Sequence, residues 1–165
     1  MNDSAISVVV VGDGTLGQGV VYETLNLAGL HKGPFVLYIE DNGISQSTPQ
    51  WQALAGSIHG RARAFDVGYE RLGGDQPAVT LASDVKAALD SVRNERMPLV
   101  LHVLVHRLGP HSKGDDTRST GEIEILKEKD PLVQLRGTIE PDILIAIHQR
   151  IKEITYRALN VDSDE

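Results

Sequence analysis

The chain has 165 residues, 41% of them apolar, and a formal net charge of −7. This length is enough for one domain with a sizeable core, and the acidic balance argues against general binding to nucleic acid or to an anionic membrane. The sequence contains no cysteine, which excludes a disulfide framework and a cysteine zinc site. No apolar run is long enough to cross a membrane, and the first residues lack a signal-peptide pattern. We therefore expect a soluble, cytoplasmic protein.

The first 44 residues are predicted to contain a strand, a glycine turn, a helix and a second strand. Val8–Val11 is a short β-branched run, typical of a strand that is buried on both faces. The turn at Gly12–Gly17 contains three glycines, which permit positive φ and close approach of a ligand. Phe35–Ile39 is predicted to be a second buried strand. The apolar positions of the intervening helix include Leu16, Val20, Leu27 and Leu30.

The polar residues at the two strand exits are open to two interpretations. The glycines at positions 12, 14 and 17 fit a dinucleotide-binding pattern, with Asp41 where a ribose-binding acid would lie. However, a carboxylate at Asp13 would repel a bare pyrophosphate, which predicts a cation between the two. Asp13 and Asn42 would supply two oxygen ligands and a backbone carbonyl near Ile44 a third, a set that suits Mg²⁺. The N–H groups of Gly14–Gly17 would face the diphosphate. The metal interpretation explains more residues.

The motif Gly12-Asp13-Gly14 followed by Asn42 resembles the thiamine diphosphate motif. The intervening GQGVVYETLNLAGLHKGP resembles the alpha subunit of the 2-oxo acid dehydrogenase decarboxylating component, of the pyruvate or branched-chain type. In that resemblance Mg²⁺ is held by Asp13, Asn42 and the carbonyl of Ile44. The cofactor-binding residues would be Asp13, Gly14, Thr15, Glu40, Asn42, Ile44 and His111.

A second motif follows the predicted central strand Leu99–Val105 on the same edge of the sheet. Within the loop 106–118, the pattern His-Ser-x-x-Asp-Asp resembles the loop of the branched-chain type. There, the histidine matching His111 reaches the cofactor near its reactive carbon. We expect His111 to be catalytic or to position the cofactor, because neutral imidazole can move a proton near pH 7. In that family the serine matching Ser112 is phosphorylated in some relatives, but we do not expect this modification here by default. The acid matching Asp115 helps to order the loop.

Other side chains are expected to be structural. His102 is predicted to be a satisfied core histidine. Ser83 is a suitable N-cap for a helix over 84–96. Trp51 is predicted to anchor the core or an interface. Pro141 opens a last amphipathic helix, which would pack on its own domain or cover a partner.

The resemblance implies an α/β fold, a three-layer sandwich with a mainly parallel sheet. Residues 1–165 would form a single partial thiamine diphosphate domain that lacks its N-terminal portion. The implied cofactors are thiamine diphosphate and Mg²⁺, and the implied reaction is decarboxylation of a 2-oxo acid with acyl transfer to a lipoyl or acyl carrier protein. An N-terminal alpha-like polypeptide and a beta-like subunit would complete a heteromer. The activating glutamate belongs to the beta subunit in the family, so the chain alone should be inactive.

Three alternatives stay open at this point. A NAD-binding module would use the glycine pattern without a metal. A non-catalytic assembly subunit would retain the fold alone. A transketolase-like or carbon–carbon ligating subunit would retain the cofactor and change the reaction. Two departures from the family pattern, the shortened segment after the loop and Ile44 in place of the usual tyrosine, suggest a different acyl acceptor.

Overall fold

The computed structural model of this protein describes residues 4–159. A 3₁₀ turn over Asp13–Gly17 separates the first strand from the first helix. The strands are β1 (Ser7–Gly12), β2 (Phe35–Asp41), β3 (Ile44–Ser45), β4 (Thr48–Pro49), β5 (Gly68–Gly73) and β6 (Leu99–Leu104). The helices are α1 (Gly19–His31), α2 (Gln50–Ala53), α3 (Ile58–Ala64), α4 (Ala78–Glu95), α5 (Thr120–Glu128), α6 (Pro131–Arg136) and α7 (Pro141–Leu159).

Four strands form a parallel sheet in the order β1-β2-β6-β5. Residue 36 of β2 pairs with residue 8 of β1 and residue 99 of β6, so the three strands end level with one another. The segments that follow β1, β2 and β6 therefore meet at one edge of the sheet. In open parallel sheets this carboxyl edge is where ligands bind.

Helices cover both faces of the sheet, which confirms the predicted α/β architecture with a parallel sheet. On one face, Leu37, Ile39 and Val100 pack against α1 and α3. On the other, Val36, Leu101 and Val103 pack against α4. This alternation follows from the two-residue period of a strand. It makes β2 and β6 the fully enclosed centre of the domain.

The first strand lies at the sheet edge, so the prediction that it is buried on both faces was wrong. Val8, Val9 and Val10 are 44%, 45% and 59% exposed. The β-branched run correctly indicated a strand, but its composition does not determine its place in the sheet. The outer edge of β1 bears no strand among the described residues.

The apolar positions predicted for the first helix also lie mostly outside the core. Leu16 is buried, but Val20, Leu27 and Leu30 are more than half exposed. The face of α1 that packs on the sheet is instead formed by Val21, Leu25 and Gly29. Gly29 permits a close approach, since a Cβ there would lie 2.0 Å from the carbonyl oxygen of Phe65.

Several remaining predictions can be compared with the structure. His102 is buried and hydrogen-bonded, as predicted. The Ser83 cap was wrong, because α4 already begins at Ala78 behind Pro77. Trp51 is 78% exposed and does not anchor the core. No helix within residues 4–159 is long and apolar enough to cross a membrane.

Candidate functional site

A cleft of about 380 Å³ opens at the carboxyl edge of the sheet. It brings together the first turn, the segment after β2 and the loop after β6, three regions that are far apart in sequence. Its lining residues are Gly12, Asp13, Gly14, Thr15, Gln18, Asn42, Ile44, Ser45, Gln46, Arg107 and His111. Every predicted cofactor-binding residue except Glu40 is in this set. Glu40 is exposed near the end of β2, where it pairs in register with Gly12.

The floor of the cleft is formed by a close contact between the 3₁₀ turn and the short β3–β4 hairpin. A Cβ on Gly14 would lie 2.3 Å from Oγ of Ser45, a distance that no side chain tolerates. The hairpin is held by antiparallel pairing of Ile44 with Pro49. Its entry at Gly43 has a φ of 75°, a conformation that favours glycine. The second glycine of the sequence motif is therefore required by packing at the place where a ligand would approach.

Asp13 is the carboxylate at the base of the cleft, and it is only 4% exposed. Its Oδ2 accepts a hydrogen bond of 3.0 Å from Nε2 of Gln50. Burial raises the pKa of Asp13, the Gln50 hydrogen bond partly offsets this, and the nearby charge of Asp41 raises the pKa further. A buried carboxylate with a raised pKa is electrostatically suited to a cation, which would remove the cost of its charge.

Asp41 behaves differently, because the protein itself satisfies both of its oxygens. Oδ1 accepts from Nε2 of Gln50 at 2.8 Å and from the backbone N–H of Gly43 at 2.9 Å. Oδ2 lies 2.7 Å from Nε2 of His102. Burial would raise the pKa of Asp41, but the hydrogen bonds from His102, Gln50 and Gly43 outweigh it and lower the pKa. A carboxylate engaged in this way is poorly placed to bind a ribose, which counts against the NAD interpretation.

The other two proposed metal ligands share a tight turn. Oδ1 of Asn42 accepts a 3.0 Å hydrogen bond from the backbone N–H of Ile44, which fixes the side-chain amide beside the cleft. The donors here are one carboxylate, one amide oxygen and one backbone carbonyl. These hard oxygen ligands suit Mg²⁺ and leave room for phosphate oxygens and water. Among the described residues no cluster of three or more His, Cys, Asp or Glu side chains could hold a metal.

His111 reaches the cleft from the loop that follows β6. Its side chain is 53% exposed, with Nδ1 lying 3.0 Å from Oγ of Ser112 and 3.7 Å from Oδ2 of Asp115. The same Asp115 oxygen accepts the backbone N–H of Ser112 at 2.9 Å. Asp115 thus organises the turn that presents the imidazole, in agreement with its expected ordering role.

Arg118 connects the end of the loop to its beginning. Its guanidinium donates to both oxygens of Asp116, at 2.8 and 2.6 Å, and to the carbonyl oxygens of Arg107 and Gly109, at 2.7 and 3.2 Å. The hydrogen bond from Arg118 lowers the pKa of Asp116 to about 2. The loop is therefore closed by charge-assisted hydrogen bonds even though its sequence is rich in glycine, proline and polar residues.

Arg107 brings a cationic side chain to the cleft. Nη1 donates to the carbonyl oxygen of Gln46 at 2.7 Å. Its buried Nε and Nη2 have no hydrogen-bond partner among the described residues, although Nη2 lies 3.9 Å from Asp116. Buried donors of this kind normally find a partner.

Comparison with known proteins shows the family of this chain. The family model described as "Dehydrogenase E1 component" matches residues 1–154. The chain belongs to this family. The pyruvate dehydrogenase E1 component subunit alpha of Rickettsia bellii (strain RML369-C) is 34% identical over 160 residues, which are 90% of this chain and 48% of that protein. The 3-methyl-2-oxobutanoate dehydrogenase subunit alpha of Mycobacterium tuberculosis (strain ATCC 25618 / H37Rv) is 29% identical over 169 residues, 99% of this chain and 45% of that protein.

These values confirm the resemblance to an alpha subunit of the pyruvate or branched-chain type. The chain spans about half the length of the curated relatives it matches. Among solved structures, transketolase from Campylobacter jejuni subsp. jejuni NCTC 11168 is similar, with a TM-score of 0.52 and 24% identity. That likeness covers 62% of this chain and 16% of the other, and it supports the fold of this member of the dehydrogenase E1 family.

Sequence reasoning missed the roles of two side chains at this site. Gln50 contacts Asp13 across 37 residues and Asp41 across 9. Arg107 contacts Gln46 across 61 residues. Neither pairing follows a local pattern. The one signal for Gln50 in the sequence is that a polar residue follows a hydroxyl-rich loop. That signal does not identify the partner of its side chain.

Proposed function

We propose that this chain is a subunit of a thiamine diphosphate-dependent 2-oxo acid dehydrogenase or decarboxylase. In this proposal it anchors Mg²⁺ and the cofactor diphosphate for decarboxylation and acyl transfer. The observation that carries the proposal is the cleft that Asp13, Asn42, Ile44 and His111 line together. Membership of the dehydrogenase E1 family supports the same reaction class.

Each residue has a role that follows from its chemistry. Asp13, the amide oxygen of Asn42 and the carbonyl of Ile44 would hold Mg²⁺, with Gly14 and Thr15 against the diphosphate. Glycine is needed at residue 14 because a Cβ there would collide with Ser45, where the 3₁₀ turn packs against the hairpin. When bound, thiamine diphosphate supplies the carbanion-stabilising chemistry that no amino-acid side chain provides.

His111 would act in the same cleft from the loop that follows β6. Its imidazole is partly exposed and is held by a turn that Asp115 orders. In that position it can hold or move a proton near neutral pH. Arg107 would add positive charge where the cofactor or the substrate carboxylate brings negative charge.

The proposed assembly is a heteromer with an N-terminal alpha-like polypeptide, or the same segment in a longer chain, and a beta-like subunit. Two exposed apolar surfaces support this. The edge strand β1 presents valines at positions 8–10, and α7 presents Ile143, Ile147, Ile151 and Ile154, each at least 42% exposed. We propose that the chain alone is inactive, and that the acyl group passes to a lipoyl or acyl carrier protein.

The test is calorimetric titration of thiamine diphosphate with Mg²⁺ into the chain alone and into the complex co-purified with its partners. We expect binding by the complex that is lost in Asp13→Asn and in Asn42→Ala. Asp66→Asn is the matched control, because the Asp66 side chain is 84% exposed and pairs with Lys32 away from the cleft. If no assembly binds the cofactor, the enzymatic role is wrong. If the Asp13 variant leaves the complex fully active, the chain is an assembly subunit only.

A further inference from the structure

A chain of hydrogen bonds runs from the cleft into the interior of the sheet. It begins at Oδ2 of Asp13, passes through Nε2 of Gln50 to Oδ1 of Asp41, and continues from Oδ2 of Asp41 to Nε2 of His102. Nδ1 of His102 then lies 2.8 Å from the hydroxyl of Tyr69. The chain joins residues from the first turn, β2, α2, β5 and β6.

The hydrogen-bonding capacity of each group fixes the direction of this chain. An ionised Asp41 can only accept, so Nε2 of His102 carries the proton and donates to it, and Nδ1 of a neutral imidazole then accepts from the Tyr69 hydroxyl. Gln50 contacts both carboxylates through one atom, its amide nitrogen, which carries two N–H donors. One N–H is directed to each carboxylate, at 3.0 Å and 2.8 Å.

The position of Gln50 distinguishes it from a group that occupies the metal site. Asp13 lines the cleft, whereas Gln50 and Asp41 do not. The donor to Asp13 therefore belongs to a residue outside the cleft lining. This contact engages Oδ2 of Asp13, a residue that itself lines the cleft.

We propose that Gln50 is a positioning residue for the metal site: its side-chain amide, anchored on Asp41 and His102, fixes the Asp13 carboxylate in the orientation that binds the divalent cation. This proposal rests on the proposed function of the cleft and deepens it. A neutral double donor suits this place, because it separates two carboxylates without adding a charge that would compete with the cation. Groups that orient metal ligands typically change metal affinity by about 10–100-fold when removed.

The experiment measures binding of Mn²⁺, as a paramagnetic substitute for Mg²⁺, to the assembled complex in the presence of thiamine diphosphate. Electron paramagnetic resonance gives both the free Mn²⁺ and the symmetry of the bound ion. Gln50→Met preserves size and apolar stem but cannot donate, and we expect it to weaken Mn²⁺ binding by about 10-fold and to alter the spectrum of the bound ion. The matched control is Gln52→Met, at an exposed position of the same helix, which should retain wild-type affinity.

Gln50→Asn is the second variant in case the methionine variant does not fold. It retains the amide but is one methylene shorter, so it cannot reach both carboxylates, and the same loss is expected. Wild-type Mn²⁺ affinity in a folded variant would overturn the proposal. Tighter binding would also overturn it, because it would mean that the amide competes with the cation. If the wild-type complex binds neither Mn²⁺ nor thiamine diphosphate, the proposed function fails, and this inference fails with it.

Discussion

Oδ2 of Asp41 lies 2.7 Å from Nε2 of His102, and both residues are less than a tenth exposed. The pair connects β2 to β6, the two central strands. Asp41 directly precedes Asn42, the predicted metal ligand. A buried carboxylate needs such a partner, since its charge is costly to remove from water. The pair therefore stabilises the sheet edge and the cleft together.

The first prediction is that His102→Phe destabilises the protein. The substitution removes the donor to Oδ2 of Asp41 and the acceptor of the Tyr69 hydroxyl, so that this buried carboxylate oxygen and this half-buried hydroxyl lose the partner shown here. We expect a loss of about 2–4 kcal/mol in the free energy of unfolding, measured by urea denaturation followed by circular dichroism. The control His148→Phe, on the exposed helix α7, should cost less than about 1 kcal/mol. Equal losses in the two variants would contradict the role of the pair.

Much of this arrangement could be predicted from the sequence, for identifiable reasons. The strands β2 and β6 are mostly apolar because helices cover both faces of the sheet there, so local composition was enough to find them. Asp13 and Asn42 directly follow strands of a parallel sheet, and His111 lies in the loop after a third strand. Parallel strands place their ends at one edge. A local motif thus gave a correct three-dimensional grouping.

Other features depended on information that a local pattern does not carry. The run at β1 has the composition of a central strand, but its exposure depends on the order of strands in the sheet. Helix α1 has apolar residues on two faces, and only tertiary packing determines which face is buried. Gln50 meets its partners because the β3–β4 hairpin brings the chain back to the first turn. Each failure concerns a long-range relationship.

The second prediction concerns Asp13 in the metal-free protein. Burial raises the pKa of this carboxyl in the folded state. The folded protein therefore holds the Asp13 proton more tightly than the unfolded chain does. The charged carboxylate lowers the stability of the folded state as the pH rises from the ordinary aspartate pKa, about 3.9, through the folded pKa. Asp13→Asn removes this cost, so the metal-free variant should be more stable than wild type at pH 7.

The measurement is the urea midpoint of the metal-free protein between pH 4 and pH 8. The urea midpoint of Asp13→Asn should rise relative to that of wild type as the pH rises. The affinity of this variant for Mg²⁺ in the presence of thiamine diphosphate should be lower than that of wild type by more than about 100-fold. Asp66→Asn provides the opposite case. The hydrogen bond from Lys32 lowers the pKa of Asp66. Asp66→Asn should therefore not be more stable than wild type at pH 7. A destabilised Asp13→Asn protein would contradict the argument.

The third prediction tests the contact at the floor of the cleft. Gly14→Ala would place a Cβ 2.3 Å from Oγ and 2.8 Å from Cβ of Ser45. We expect a loss of about 1–3 kcal/mol, typical of overpacking, together with weaker cofactor binding. Ser45→Gly removes both opposing atoms and should recover part of the stability of Gly14→Ala in a double-mutant cycle.

Gly17→Ala serves as the control for this cycle, because a Cβ at Gly17 would meet nothing within 4 Å. It should change stability by less than about 1 kcal/mol. Additive effects of Gly14→Ala and Ser45→Gly would show that the two residues do not meet. That result would remove the packing reason for the second glycine of the motif.

The fourth prediction is that Arg118 determines the local stability of the loop after β6. Arg118→Gln loses the bonds to both oxygens of Asp116 and to the carbonyls of Arg107 and Gly109. Local opening should then become more frequent. We expect cleavage within residues 106–118 to become several-fold faster in limited proteolysis with a protease of broad specificity. Lys113→Gln, an exposed change in the same loop, should cleave at the wild-type rate.

The same contact predicts how the loop responds to acid. Because the hydrogen bond from Arg118 lowers the pKa of Asp116 to about 2, the stabilising charge is fully present above the ordinary aspartate pKa and is lost only as the pH falls through about 2. The ion pair should therefore still protect the wild-type loop from an acid-active protease at pH 5. An Asp116→Asn variant should be cleaved several-fold faster at that pH, since a neutral amide cannot form the charge-assisted contact with Arg118. If wild type and Asp116→Asn are cleaved alike, the ion pair does not hold the loop that presents His111.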